Sequence, residues 1–490
     1  MSRSMKSENR KLWEVWGQTN ALYTQRCAEH GVNSYRQPVN TPSMPWRCST
    51  PFLKRRWTMS GRTKEFFAYV IPSVLAFALS GVYTIVDGFF VGQSLGDIGL
   101  AAITLGYPVT ALVVAVGTGL GLAAAIRFTI LNAQSETQKA QECFSAASLL
   151  MLLTGAVLTA LLFFFADPIL GFLGARSEAL RLAVEYARII ALGAVFQLLA
   201  TGFVPFIRNM GGASFAMVAM ILGFVTNIVL DYALVWVANW GMAGAALATI
   251  IGQAVTMLAA IVFFVRKKCR LRLPEAKRLR SFWGETLKVS LSPFGLTFSP
   301  TVTMMLMNRF LLLYGDEQAV AIYGCIGYII SIIYLLLQGV GDGSQPLISE
   351  QYGRGDRAAV RHTCTMAYMA AAVVTVACML GVFLARDKVG VLFGASAQSN
   401  VGVAQMLPYY LAPLLFLAYV RITTSYFYAT EETILSYIIV YAEPVFTLLL
   451  LLILPQFLKL TGVWLAVPLA QTATFAVGLV ESRVAKQKAV

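Results

Sequence analysis

About twelve stretches of this chain are long enough and apolar enough to cross a hydrocarbon layer, and nothing else in the sequence narrows its fold so far. A helix needs about 20 residues to span a bilayer core. The stretches run near 66–92, 98–126, 143–165, 181–206, 214–238 and 242–265, then 284–314, 319–347, 361–384, 402–429, 434–458 and 462–481. Lipid offers no partner for backbone N–H and C=O groups, so each stretch must close its own hydrogen bonds as a helix. The alternating pattern of a membrane barrel is absent. With 58% hydrophobic and 13% charged residues, where soluble domains carry roughly a quarter charged, a soluble fold has nowhere to bury the apolar surface. The sequence predicts an all-α polytopic membrane protein.

Charge distribution sets the expected orientation. Arg47, Lys54, Arg55, Arg56, Arg62 and Lys64 precede the first span, and Arg266 to Lys288 is dense in Arg and Lys. Arg354, Arg357 and Arg361 follow the eighth span, and Arg483, Lys486 and Lys488 follow the twelfth. With twelve spans, all of these fall on one side. The opposite loops, such as Gly92 to Asp97 and Ala238 to Gly241, carry no basic residue. The positive-inside rule then puts both termini in the cytoplasm. The net charge of +14 needs no nucleic acid to explain it, because the basic residues sit between spans and not on one recognition surface.

Enzymatic readings lack their parts. The cysteines Cys27, Cys48, Cys143, Cys269, Cys325, Cys364 and Cys378 are scattered without a metal-ligand or disulfide spacing. His30 and His362 lie outside the longest apolar runs and read as loop residues without a neighbouring nucleophile. The run Gly117, Gly119, Gly121 lies in an apolar span, where glycines permit close helix packing rather than phosphate binding. Neither a cofactor nor a tightly bound metal is expected.

The two halves repeat. "GYPVTALVVAVGTGLG" at Gly106 to Gly121 parallels "GYIISIIYLLLQGVGDG" at Gly327 to Gly343. "FFFADPILGFLGA" ending at Ala175 parallels "VFLARDKVGVLFGA" ending at Ala395, and "GMAGAALATIIGQ" parallels "LTGVWLAVPLAQ". Three matches in the same order imply two six-helix bundles related about the membrane normal around a central cavity, which is a transporter architecture. A duplicated scaffold without a transport role is the alternative. The expected domains are a basic extension at 1–61, an N-lobe at 62–265, a cytoplasmic linker at 266–283 and a C-lobe at 284–490. Residues 1–58 lack the apolar centre of a secretory signal. Because "MSGRTKEFF" at Met59 is similar to a natural start in the family that the chain resembles, they are expected to be a mis-called or dispensable extension, with a disordered regulatory tail as the rival.

Asp87 stands deep in the first span, where a central acid costs about 2.5–3.5 kcal/mol on insertion scales. Water or a cation must compensate it. Asn227 and Asp231 are one turn apart on the fifth span and share a face, and Thr249 on the sixth adds an oxygen. Burial disfavours a charged carboxylate, and a second acid nearby makes the pair share a proton or a cation. A structural acid with a hydroxyl or backbone partner is the plainer reading. Pro72 lies about four turns before Asp87 and removes a backbone bond, unless it only marks the first turns of its helix. Tyr83, one turn before Asp87, either stacks on a cationic ligand or packs ordinarily. Asp342, Glu443, Arg309 and Arg421 are the ionisable residues placed within or near the spans of the second lobe, and mutual structural pairing is favoured over a polar route. Met304, Met305 and Asn308 are candidates for an adaptable substrate surface, with ordinary core packing as the rival for the methionines.

The stretch "IPSVLAFALSGVYTIVDGFFVGQSLGDIGLAAITLGYP", the half-repeats, "FIRNMG" at 206–211 and "GDGSQPLIS" at 341–349 resemble the MATE family, in its MepA-like bacterial branch. The resemblance covers about residue 62 to the end. It implies an antiporter in a bacterial plasma membrane that expels lipophilic organic cations in exchange for protons or sodium ions. It also places Asp87, Asn227, Asp231 and Thr249 at the family's N-lobe cation site, where a sodium ion would be held, Pro72 at a bending point of the first helix, and Tyr83 in the drug cavity. The NorM-like branch has acids on spans seven and ten, and this chain has no convincing counterpart there. Membrane lipid and organic cations are the expected partners, without nucleic acid, for a monomer. A lipid-linked oligosaccharide flippase is the alternative, for which several cavity arginines would be needed, and only Arg309 and Arg421 are candidates.

Overall fold

The computed structural model describes residues 59–490 apart from 175, 393–395, 489 and 490. The expectations for 1–58, His30, Cys27 and Cys48, and the Ala175 and Ala395 ends of one repeat match, lie outside the described residues. The N-terminal half contains α1 (Gly61–Gly96), α2 (Ala101–Ala133), α3 (Thr137–Phe172), α4 in two pieces (Ser177–Leu192 and Ala194–Asn209), α5 (Ala213–Val237) and α6 (Gly241–Arg266). The C-terminal half contains α7 (Ala276–Tyr314), α8 (Glu317–Gly353), α9 (Arg357–Leu392), α10 in two pieces (Ala397–Leu411 and Leu414–Ala429), α11 (Thr433–Leu458) and α12 (Leu460–Lys488).

Three features depart from the apolar reading. Several helices overrun the predicted spans at the basic-loop end, as in the 39 residues of α7 and 37 of α8, because apolarity reports the thickness of hydrocarbon and not where a helix stops. The connection after α6 is consequently shorter than expected, since helix resumes at Ala276. The fourth and tenth spans are broken, by 59° and 49°, at Gly193 and at Ala412–Pro413, where proline withholds an amide from the helical ladder. His362 is a correction: it lies in the first turns of α9, not in a loop.

Each half has its own packed interior. One cluster runs from Val91 on α1 to Phe263 and Phe264 on α6, and a second from Met307 on α7 to Val467 on α12, joined by Phe66, Tyr69 and Val70 from the start of α1. Large apolar side chains also cover the outside, with Phe164, Phe172, Leu384 and Phe457 all more than 70% exposed. Such a belt would aggregate in water and is at home in lipid, so the chain is a multi-pass membrane protein.

The lobes cross where the repeated glycines lie. A methyl at Gly343 on α8 would sit 2.8 Å from the Val70 Cα of α1, and one at Gly119 on α2 would sit 2.9 Å from the Ser290 carbonyl oxygen of α7. These crossings, α8 on α1 and α2 on α7, exchange under the internal repeat. The glycine run is therefore a packing device, as its apolar setting implied.

Candidate cation-binding site and central cavity

The N-lobe brings its four predicted residues together. Gly252 on α6 lets α5 approach closely: a methyl there would lie 2.7 Å from the Gly223 carbonyl oxygen and 3.1 Å from the Asn227 Cβ. That contact sets Asn227 and Asp231 against Thr249, all three at most 4% exposed. With its amide nitrogen turned to the acid, Asn227 donates to Asp231 Oδ2 at 3.2 Å and accepts from the Thr249 backbone N–H at 3.2 Å. From α5 onward at Asp231 the helix widens into a π turn through Val237, a local insertion that re-aims side chains and recurs at functional sites.

Asp87 arrives from α1. Its carboxyl and that of Asp231 are within hydrogen-bonding reach of each other, and one oxygen of each, Oδ1 in both, is buried without a partner. Two carboxylates in contact repel unless they hold a proton or a cation between them. Tyr186, buried on α4, lies beside the two acids. The carboxylates are hard oxygen donors of the kind sodium requires, and the Asn227 amide would join them only with its oxygen, not its nitrogen, turned to Asp231. Among the described residues no three His, Cys, Asp or Glu side chains converge as a transition-metal site.

Beside this pocket lies a cavity of about 290 Å³, walled by both lobes. Tyr83 lines it, as do Phe77, Tyr107 and Phe224. Tyr83, one turn before Asp87 on α1, stacks on Phe224 with ring centroids 5.0 Å apart and planes 6° from parallel. α1 is helical through Pro72, about three turns from its start at Gly61, and its non-helical backbone falls at Gly96. Pro72 is thus beyond the first turns.

The C-lobe charges do not pair with one another as expected. Asp342 instead meets Arg208 of the N-lobe at 3.2 Å, and both are about 95% buried; the Tyr428 hydroxyl donates to the same carboxylate at 3.4 Å. Glu443 accepts from Tyr334 at 3.1 Å and from Gln471 at 3.3 Å. Arg421 stacks over the Tyr334 ring at 4.6 Å and donates to the Leu296 carbonyl at 3.2 Å. Arg309 is exposed on α7. The expected pairing fails because the strongest partner of Asp342 belongs to the other lobe, out of reach of any reading within a span. Met304 packs toward the C-lobe core, and Met305 and Asn308 are not among the cavity-lining residues.

Arg208 begins a ladder of contacts between lobes. The Arg208–Asp342 pair lies at the cavity wall, followed by Asn209 to Gln345 at 3.0 Å and, at the basic-loop end, Arg127 to Glu431 at 3.2 Å and to Glu285 at 3.2 Å. Arg62 to Asp356 at 3.3 Å lies at the same end. These contacts tie the two lobes together from the cavity wall to that end. Sequence reading missed Arg208, Tyr334, Gln471 and Tyr186; an arginine at the end of the apolar run "AVFQLLATGFVPFIRN" was the available signal for the first.

Set against known families, the MatE model matches residues 72–233 and again 294–453, once in each lobe. This chain belongs to the MatE family. It is accordingly a transporter, and the paired match restates the internal repeat. Among curated MatE relatives, the multidrug export protein MepA of Staphylococcus haemolyticus is 26% identical over 84% of this chain and 90% of its own length. The protein of the same name from Staphylococcus saprophyticus is 27% identical over 70% and 76%. A solved outward-facing multidrug resistance MATE transporter superposes with a TM-score of 0.80 at 24% identity, covering 88% of this chain and 97% of the other; that likeness concerns the fold.

Proposed function

We propose that this MatE protein is a cation-coupled antiporter that exports lipophilic organic cations from a bacterial cell by alternating access, with both termini cytoplasmic. The observation that carries the reading is the contact between Asp87 and Asp231, on a helix whose Tyr83, one turn from Asp87, lines a cavity shared by both lobes. The names of the similar MepA proteins favour drug export, and the basic loops favour the orientation.

A proton or a sodium ion would sit between Asp87 and Asp231; for sodium, Asn227 would turn its amide oxygen to the acids and Thr249 would supply a further oxygen. When the ion leaves, the negative charge favours an organic cation against the Tyr83–Phe224 face. Exchange follows because the two cations compete for one source of negative potential. The seal of Arg208, Asp342, Arg127 and Glu431 would hold the cavity closed to the cytoplasm in this state, and its opening would complete the cycle. Pro72, on the helix that carries both Tyr83 and Asp87, is the candidate bending point for α1.

The test is efflux of an ethidium-like cation from vesicles under an imposed pH gradient or sodium gradient, with wild type, Asp87→Asn and Asp231→Asn. Loss of gradient-driven export in both variants is expected, and the gradient that drives wild type names the coupling ion. Wild-type export by both variants under each gradient overturns the site. A flippase for pyrophosphate-linked lipids is a weaker second reading: Arg208 and Arg421 both line the cavity, but Arg208 is already occupied by Asp342.

A further inference from the structure

We propose that the C-lobe wall of the cavity holds an anion subsite centred on Arg421, which takes a carboxylate carried by an otherwise cationic substrate. This deepens the export reading and rests on it: the substrate class it names is the zwitterion.

Arg421 is 5% exposed on the second half of α10, yet it lines the cavity. Its Nη1 donates to the Leu296 carbonyl at 3.2 Å and its face lies over the Tyr334 ring, while its Nε is buried without a partner. A guanidinium offers five N–H donors, and these contacts leave the edge bearing Nε unused.

No carboxylate of the described residues forms an ion pair with it. Asp342 is held by Arg208 at 3.2 Å, and Glu443 accepts from Tyr334 and Gln471. A cation removed from water without a counter-ion is costly, and a carboxylate is the group that best fits a guanidinium edge, through two parallel hydrogen bonds. The N-lobe contributes Tyr83 and Phe224 to the same cavity, and Asp87 follows Tyr83 by one turn of α1. One wall thus favours positive charge and the other negative, and a ligand carrying both signs complements both. A substrate with positive charge alone gains from the first wall and is repelled by the second.

The experiment measures binding to the purified full-length chain in lipid nanodiscs by fluorescence anisotropy. The probes are a rhodamine free acid, which carries a cationic ring system and a carboxylate, and its methyl ester, which carries the cation alone. Wild type should bind the acid more tightly than the ester. Arg421→Gln should weaken the acid about tenfold, the worth of a charge-assisted hydrogen bond, and leave the ester unchanged or tighter. Arg421→Lys, which keeps the charge and loses the fork, should retain part of the preference. Equal binding of acid and ester by wild type overturns the subsite, and so does an equal loss of both probes in Arg421→Gln when Arg421→Lys fails to restore the preference. The export reading stands or falls separately on efflux of the ester. Absent ester efflux with an intact acid preference removes export and leaves the subsite; normal ester efflux without an acid preference removes the subsite alone.

Discussion

The two lobes share one scaffold and hold two pairs of acids in opposite ways. In the N-lobe, Asp87 and Asp231 face each other, and each keeps a buried oxygen without a partner. In the C-lobe, Asp342 is neutralised by an arginine and a tyrosine, and Glu443 is held by a tyrosine and a glutamine. A carboxylate satisfied by protein has no use for an exchangeable ion, whereas one left facing another acid has. Duplication supplied two equivalent frames, and protein partners stand beside Asp342 and Glu443 but not between Asp87 and Asp231.

The comparison breaks most visibly if Asp342 is deprived of its partner. Arg208→Ala would leave a buried acid unpaired, at an expected cost of about 3 kcal/mol, and melting of the purified protein should drop accordingly. Arg208→Met combined with Asp342→Leu removes both charges and should recover most of the loss. If Arg208→Ala melts like wild type, the C-lobe acid is not neutralised by that contact and the contrast between lobes collapses.

A smaller effect is expected on transport when the acids themselves are changed. Asp87→Asn or Asp231→Asn should lower gradient-driven export about a hundredfold, roughly 2.7 kcal/mol of coupling. Glu443→Gln keeps its size and much of its hydrogen bonding and should cost about 1 kcal/mol of stability, with export within about threefold of wild type. Vesicle efflux rates for the three variants side by side decide the matter. A Glu443→Gln variant as impaired as Asp87→Asn would mean that the C-lobe couples too.

How much of this was legible in the sequence depends on the range of the interaction. The spans followed from lipid thickness, and the Asp87, Asn227, Asp231 and Thr249 set was visible because charges and amides stand out in apolar helices, with Asn227 and Asp231 one turn apart. Arg208 and Asp342 were each visible as charges in or near spans, but their pairing is tertiary and joins different lobes. Met304, Met305 and Asn308 went astray for another reason. α7 scatters serines, threonines and prolines among its apolar residues, so its sequence carries little periodicity from which to read a face; Pro300 and Thr301 line the cavity while Met307 and Leu311 fill the core. The bends at Gly193 and Pro413 were equally hidden, since both residues are common in membrane helices.

The shared scaffold can itself be sharpened as a comparison through its two glycine crossings. Gly343→Ala presses a methyl against the α1 backbone and Gly119→Ala against the α7 backbone, and neither backbone can yield as a side chain would. Each substitution should destabilise by about 1–3 kcal/mol through overpacking. Gly381→Ala, where a methyl meets nothing within 4 Å, should be neutral or slightly stabilising in the α9 interior. Thermal melting of the three variants tests whether the lobes meet equivalently at both crossings; a loss at one crossing only would show that the repeat does not extend to how the halves dock.

The smallest effect expected concerns the loop end of the seal. Glu431 lies in the turn between α10 and α11; burial pushes its carboxyl above the ordinary range, Arg127 pulls it back down, and Glu285 adds to the rise. The net direction is upward, so the folded protein holds a proton at Glu431 more tightly than the unfolded chain does. The stability from this group is then fully present at low pH and is lost as the pH rises through the folded value, in a window just above the ordinary carboxylate range. Glu431→Gln mimics the protonated form, so at pH 7 it should melt slightly above wild type, by less than about 1 kcal/mol for a partly exposed pair, and the gap should close as wild type is acidified. A variant that melts below wild type at pH 7, with a gap that again closes on acidification, would mean that attraction to Arg127 outweighs burial. The loop would then resemble the Arg208–Asp342 contact in depending on its opposite charge, and the acids of the C-lobe side would share one rule from the cavity wall to the surface.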